Sequence, residues 1–381
     1  MKYRLGELIE SISETSKIEK DEVVLINTSD VENGKVLNHT YVDNKNLRGQ
    51  FKKRFKKGDI LYSEIRPKNK RFAYINFDST NYIASTKLMV LRNKGKINNK
   101  YLFLLLTSKK VIEYLQMVAE SRSGTFPQIT FEELSNVIVN VPNLELQNKI
   151  VNITDAIDKK IELNNQINDN LFKMCNTIYH NYLDKYSELI ENKKIVEIAN
   201  RVVTGKTPST KNEEFWNGDI PFITIPDMHN QVFTINTERK ISNIGAKALI
   251  PKNSILVSCI ATVGLVSIST EKSQTNQQIN SIVLNNDYDL YYLFEFLSEQ
   301  ENFMKNIAGG STTYNINKNT FENIEVPYLP TDKLIEFHDI VSKMFEKIEL
   351  NQLENKNLVQ LRDTLLPKLM NGEIDLDKIE V

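Results

Sequence analysis

Apolar residues recur along two stretches of this chain in steps of three and four. In the first, Ile150, Ile153, Ile157 and Ile161 are followed by Asn164 and Asn168, and the stripe resumes at Leu171, Met174 and Ile178. In the second, Phe337, Ile340, Met344 and Ile348 are followed by Asn351 and Asn355, then by Leu358, Leu361 and Leu365. Such spacing predicts helices that bury one face. No Gly or Pro interrupts residues 143–183 or 331–366, so each helix can approach ~40 residues, or about 60 Å at 1.5 Å per residue. Shorter apolar runs behind polar turns, as in KKGDILYS (56–63) and PKNSILVS (251–258), predict strands.

These elements occur twice. Eight of the twelve positions 160–171 recur 187 residues later, where IELNNQINDNL (161–171) faces IELNQLENKNL (348–358). KKGDILYS parallels PKNSILVS, STKLMVL (85–91) parallels QINSIVL (278–284), and KYLFLLL (100–106) parallels YYLFEFL (291–297). GTFPQIT (124–130) and GSTTYNINK (310–318) each lead to a short strand ending at Pro142 or Pro327, and VVLINTSD (23–30) aligns with IPFITIPD (220–227). A repeat this long is a duplicated domain and not a solenoid unit, whose period is roughly 20–50 residues.

The predicted fold class is α+β. Two mixed α/β modules are separated by two long antiparallel helices paired as a coiled coil, in a pseudo-twofold internal repeat. The expected divisions are 1–142 for the first module, 143–190 for the first helical spacer, 191–330 for the second module, and 331–381 for the second spacer and tail. A helix of about 60 Å outreaches a module of roughly 30 Å, which leaves the other copy as its partner. Ile161, Asn164, Ile348 and Asn351 then mark the centre of the pair. The two asparagines would meet there, where a buried polar residue specifies register. Alternatively the stripe rotates and both are solvated. Either way the modules lie at opposite ends, inverted. Pro367 is expected to end or kink the second helix after Leu366. That leaves Leu365, Leu366, Leu369 and Met370 as an apolar end that closes against the first module or docks a partner.

Composition adds bounds. The chain has 381 residues, enough for more than one core, with 40% hydrophobic and 25% charged residues. Cys175 and Cys259 have no ligand-like spacing and suit a reducing compartment. MKYRLGELIES lacks the apolar core of a signal peptide, and no stretch approaches the length of a membrane span. A cytoplasmic protein with no membrane partner is expected. The net charge of −1 hides an asymmetry: residues 1–142 carry +8, 143–190 −2, 191–330 −3 and 331–381 −4. Only the first block attracts a polyanion by net charge.

Several motifs in combination resemble the specificity (S) subunit of type I restriction–modification systems, over essentially the whole chain. They are GKTPS (205–209), GDIPFITIPD (218–227), SILVSCIATVG (254–264), TNQQINSIV (275–283), INKNTFENIEVP (316–327) and LRDTLLPKLMNGEI (361–374). The first half keeps GDILYS and GTFPQIT but lacks a GxTPS loop. The resemblance implies two target-recognition domains held apart by helices, and a subunit without catalysis of its own. It implies double-stranded DNA as ligand, read as a bipartite sequence with one half-site per domain. It further implies two modification subunits that methylate adenine, and restriction subunits that translocate and cleave. No cofactor is expected on this chain; S-adenosylmethionine, ATP and Mg are expected in the partner subunits. Inverted modules spaced along a duplex independently suggest half-sites about a helical turn or more apart.

Candidate contacts follow from charge and polarity. Residues 45–71 hold 11 Lys/Arg and only two acids. Lys52, Lys53, Arg54, Lys56, Lys57, Arg66, Lys68 and Arg71 are candidates for phosphate contacts, which supply affinity and salt dependence but little sequence information. A solvated Lys-rich loop is the alternative. Phe51 and Phe55 beneath them read as core anchors. In the second module neutral polar groups must dominate. Lys206, Thr207, Ser209, Thr210, His229, Gln231, Asn276, Gln277, Gln278, Ser311 and Thr312 are the candidates, since Asn and Gln bond adenine bidentately and Ser or Thr serve bases or phosphates. Some of these amides could equally cap loops or pack inside.

Other chemistries fit less well. GKT at 205–207 lacks the earlier glycine of a phosphate-binding loop, because position 200 is Asn. Asp227 with Glu238-Arg239-Lys240 outlines a metal-dependent PD-ExK-type endonuclease. The Pro residues never occur as a pair, so the loop with which an adenine methyltransferase grips its base is absent. The four histidines are scattered without metal spacing. A coiled-coil scaffold for protein interaction is the remaining rival.

Overall fold

The computed structural model describes residues 1–15, 18–45, 49–121, 127–229, 231–309 and 314–374. The chain divides into two compact units, Met1–Ile157 with Leu361–Val381, and Asp158–Gln360. In the first unit, strands Ile9–Ile12, Leu88–Asn93, Ile60–Ser63 and Phe72–Tyr74 lie side by side in that order, all antiparallel. A second sheet has the order Tyr41–Asp43, Glu22–Ile26, Tyr82–Ser85 and Phe51–Lys53, with its middle pair parallel. Side chains alternate across a strand, so the unbroken apolar runs feed two cores. Ile60, Tyr62, Met89 and Leu91 join the core beneath helices Asn99–Leu106 and Lys109–Glu120, while Leu61, Leu88 and Val90 join the core between the sheets.

The second unit repeats this plan. Ala199–Thr204, Ile279–Leu284, Ile255–Ser258 and Val266–Ser269 follow the same order, with Phe233–Thr234 added at the edge. Trp216–Ile223 runs parallel to Ser273–Thr275 as Glu22–Ile26 does to Tyr82–Ser85. Even the turn before the third strand recurs. Gly58 (φ +93°) and Asn253 (φ +61°) both take the left-handed conformation, which glycine and asparagine adopt at low cost. Their N–H groups donate to the carbonyls of Ile75 and Ser269. Small two-stranded ladders, Lys2–Arg4 with Ile138–Asn140 and Glu191–Lys194 with Glu325–Tyr328, complete the parallel. The last strand runs through Pro327 instead of ending at it, because an edge strand needs no N–H on its open side.

The long helices are Leu144–Lys185, of 42 residues, and Thr331–Met370, of 40. Asn143 caps the first by accepting from the Leu146 N–H at 2.8 Å. Within the second unit the helices pair through amides. Asn164 Nδ2 donates to Asn355 Oδ1 at 2.9 Å and to Glu354 Oε2 at 2.8 Å, and Asn351 Nδ2 donates to Asn168 Oδ1 at 2.8 Å. Numbering rises on one helix as it falls on the other, so the pair is antiparallel. Asn164 and Asn351 are each 1% exposed, which removes the solvated alternative. They do not bond to each other. Each meets the other copy's second asparagine, so the centre of the pair lies between these two rungs, at Gln166 and Leu353, two residues beyond the position expected. Ile348 is buried and Ile161 half-buried beside them.

The apolar stripes also differ in detail. Met174, Ile340 and Leu361 are exposed, whereas Cys175, Tyr179, Val341 and Phe345 are buried with Phe337 and Ile348. An ideal helix drifts about 20° per heptad against a 3.5-residue repeat, so the buried positions step sideways along the stripe. Pro367 does not end the second helix. It lies in the last turn; the helix ends three residues later at Met370 and closes on Gly372 (φ +73°), with Glu373 N–H donating to Lys368 O and Gly372 N–H to Leu369 O. Leu365, Leu366, Leu369 and Met370 pack against the first unit's core with Val139, Ile150 and Val151, the first of the two arrangements expected for the tail.

Among the described residues, one core acid has no cation beside it and one carboxyl oxygen without a hydrogen-bond partner. Glu295, on helix Asp289–Ser298, is fully buried; Asn176 Nδ2 donates to its Oε2 at 3.4 Å, and its Oε1 has no partner. Burial pushes its carboxyl up to about 8 from the usual 4.5, with Glu299 adding to the rise and Asn176 opposing it. The folded chain therefore holds a proton that the unfolded chain releases near 4.5.

Two outcomes are expected. Asn351→Ala strands Asn168 and should lower the stability of the helix pair by about 1–3 kcal/mol, whereas Asn168→Leu with Asn351→Leu should recover most of it. Hydrogen exchange across residues 160–172 measures both, and equal losses in the two variants would contradict the ladder. For Glu295 the stabilisation is whole below about pH 4.5 and is lost as pH rises through about 8, at about 1.4 kcal/mol per pH unit at most. Glu295→Gln should flatten that decline in urea denaturation series between pH 5 and 9. An unchanged slope would show that Glu295 does not hold the proton.

Candidate nucleic-acid interface

In the second unit, strand Ala199–Thr204 ends at Gly205, and two polar loops meet there. Gly205 N–H donates to Ile279 O at 3.1 Å, Lys206 N–H to Thr275 O at 2.9 Å, and Gln274 Nε2 to Lys206 O at 2.6 Å. A Cβ at Gly205 would lie 2.1 Å from Asn276 O, so a larger residue would drive the loops apart. Thr207 Oγ1 donates to Gln277 Oε1 at 2.5 Å. GKTPS and NQQ thus form one surface with Lys206, Thr207, Ser209, Thr210 and Gln277 exposed. Asn276 and Gln278 are half-buried and bond to each other, Asn276 Nδ2 donating to Gln278 Oε1 at 2.9 Å. Gln231 accepts from the Ile235 N–H at 3.3 Å and closes its own loop, whereas His229 is exposed after helix Ile225–Met228. Ser311 and Thr312 lie outside the described residues.

The basic segment of the first unit splits in two. Lys53 Nζ donates to Thr86 O at 3.0 Å and Leu88 O at 2.8 Å, and burial holds its ammonium below the usual lysine range. Arg54 Nη2 donates to Thr80 O at 2.9 Å, and Arg71 pairs with Glu32 at 3.3 Å. These three cations are engaged within the unit. Lys52, Lys56, Lys57, Arg66 and Lys68 are exposed, and none forms a salt bridge among the described residues. Phe55 is buried below them, the anchor expected, and Phe51 is half-buried.

The nuclease outline dissolves on inspection of Asp227. Its Oδ2 accepts from Thr224 N–H at 2.8 Å and from Thr224 Oγ1, and its Oδ1 accepts from Glu238 N–H at 2.9 Å. The carboxylate caps a short helix and fixes the start of strand Arg239–Ile241. Sequence reasoning missed what that strand carries. The Arg239 guanidinium lies 3.4 Å over the Trp216 ring, and Trp216 Nε1 donates to Ser209 O at 3.1 Å. No local signal marks this stack, because its partners come together only through the ladder between Trp216–Ile223 and Arg239–Ile241.

Two copies of one sheet plan, one with a basic edge and the other with converging polar loops, joined to a pair of long helices, define a two-domain reader of nucleic acid. Residues 1–172 and 187–361 each match the type I restriction modification DNA specificity domain, and the chain belongs to that family. It is a DNA sequence-recognition subunit with two such domains. It is 39% identical to the type I restriction enzyme HindI specificity subunit of Haemophilus influenzae, over 98% of this chain and 99% of that one. It is 33% identical to the MjaIX specificity subunit of Methanocaldococcus jannaschii over 44% of this chain and 41% of the relative. The S subunit of M. genitalium shares the fold at a TM-score of 0.57 and 16% identity, over 97% of this chain and 95% of that structure. Among the described residues, no helix is long and apolar enough to cross a membrane.

Proposed function

We propose that residues 1–142 and 191–330 each read one half of a bipartite target on double-stranded DNA, and that the helical segments 143–190 and 331–381 set the spacing between the readers. The observation that carries this reading is the repetition of one sheet order on both sides of a continuous long helix, since a duplicated frame with unlike loops suits two unlike half-sites. In the first domain Lys52, Lys56, Lys57, Arg66 and Lys68 meet phosphates. In the second, Lys206, Thr207, Ser209, Thr210, His229 and Gln277 face the duplex, with Asn276 and Gln278 shaping the loop behind them. The complex includes two modification subunits that methylate adenine, and restriction subunits that translocate and cleave. S-adenosylmethionine, ATP and Mg belong to those partners.

Methylation mapping of DNA from cells expressing this chain with its modification subunits is expected to give a bipartite adenine-methylated motif. Exchanging residues 1–142 for those of a relative should change one half-site and leave the other. An absent motif, or one indifferent to the exchange, would refute the reading. Replacing Lys52, Lys56 and Lys57 with Gln together should weaken binding alike for target and non-target duplexes. The slope of log K against log salt should fall by up to about 3, near 0.9 for each phosphate no longer neutralised. An unchanged slope would place these lysines away from the DNA.

A further inference from the structure

We propose that Arg239 is a specificity-determining residue, presented on the Trp216 ring to read a guanine in the half-site of the second domain; this rests on the function proposed above. The stack is built from three sides. Asp227 holds the Glu238 N–H and so fixes the start of the strand. Trp216 is nearly buried beside Phe222 and Ile241, and its Nε1 is tied to Ser209 in the GKTPS loop. The Arg239 guanidinium carbon is 3.4 Å from that ring's centroid, too close for the planar group to approach by its edge, so its face meets the ring, an arrangement favoured by cation–π attraction.

Stacking uses the face of the guanidinium and leaves its N–H edge open. Arg54, Arg71, Arg92 and Arg201 spend that edge on Thr80 O, Glu32, Asp59 and Leu249 O. Arg239 is exposed, and no acceptor for its guanidinium occurs among the described residues. A planar fork held in one orientation matches the O6 and N7 acceptors of guanine, the commonest specific base contact. A phosphate contact requires no such orientation, and a lysine would serve it as well. The link to Ser209 places this edge beside the loop whose neutral groups suit adenine, so one surface offers both kinds of readout.

The test uses the complex of this chain with its modification subunits. In the wild-type complex the half-site read by residues 191–330 should contain a guanine. Replacing it with 7-deazaguanine, which lacks the N7 acceptor, should reduce binding at least about fivefold, within the range for a bidentate pair. In Arg239→Ala and Arg239→Lys complexes, methylation should become degenerate at that position alone, and 7-deazaguanine should no longer matter. A half-site without guanine would overturn the proposal. So would wild-type binding indifferent to 7-deazaguanine, an unaltered motif in the variants, or a uniform loss with the salt slope reduced by about 1. A wild-type complex that gives no bipartite motif would instead refute the functional reading itself.

Discussion

The amide ladder between the two long helices is the constraint on which the rest depends. Apolar side chains alone would let helices of this length slide by a turn, since Ile, Leu and Val substitute for one another in a seam. Asn164 with Asn355 and Asn351 with Asn168 bond well at one register. A shift by a turn would leave buried amides unmatched, at about 1–3 kcal/mol for each group left without a partner. Register is thereby specified at some cost in stability. Lys160 reaching Glu354 at 3.3 Å adds a peripheral tie to the same turn, of small energetic weight because both ends are half-exposed.

What could be read in the sequence was what periodicity carries. Helices of 42 and 40 residues, the duplicated strands and the amide-centred seam all follow from spacing that survives without tertiary information. Which residues of a stripe are buried does not, because the drift of a 3.6-residue helix is resolved only by what packs against it. Val341 took the position given to Ile340, and Phe345 joined Met344, because the core of the second unit approaches from that side. Pro367 shows the same limit: it lacks the N–H that would continue the backbone ladder, yet the helix runs on to Met370, and the packing of Leu369 and Met370 holds that turn closed.

The candidate interface was legible to an uneven degree. Loops rich in Gly, Thr, Asn and Gln stood out, and Gly205 explains why two of them touch. Charge was a poorer guide than it looked, since Lys53, Arg54 and Arg71 are consumed in holding the first unit together. Arg239 carried no local signal because its significance comes from Trp216. Linear patterns report elements, whereas pairings that cross a ladder need the sheet.

The duplication therefore separates frame from function at the level of single positions. Where geometry is demanding, the two copies keep the same solution: Gly58 and Asn253 both turn left-handed and both donate to the neighbouring strand. Where geometry is permissive, they part. Asp59, one residue on, accepts a bidentate pair from Arg92 at 2.8 Å, while its counterpart Ser254 bonds to backbone carbonyl Pro251 O at 2.9 Å. Phosphate affinity is sequence-independent and can be supplied from either end of a single chain. Base readout cannot be shared, because each half-site presents its own donors and acceptors. On the proposed assignment, one basic copy and one slightly acidic copy suffice, provided that each keeps the frame from which its own loops project.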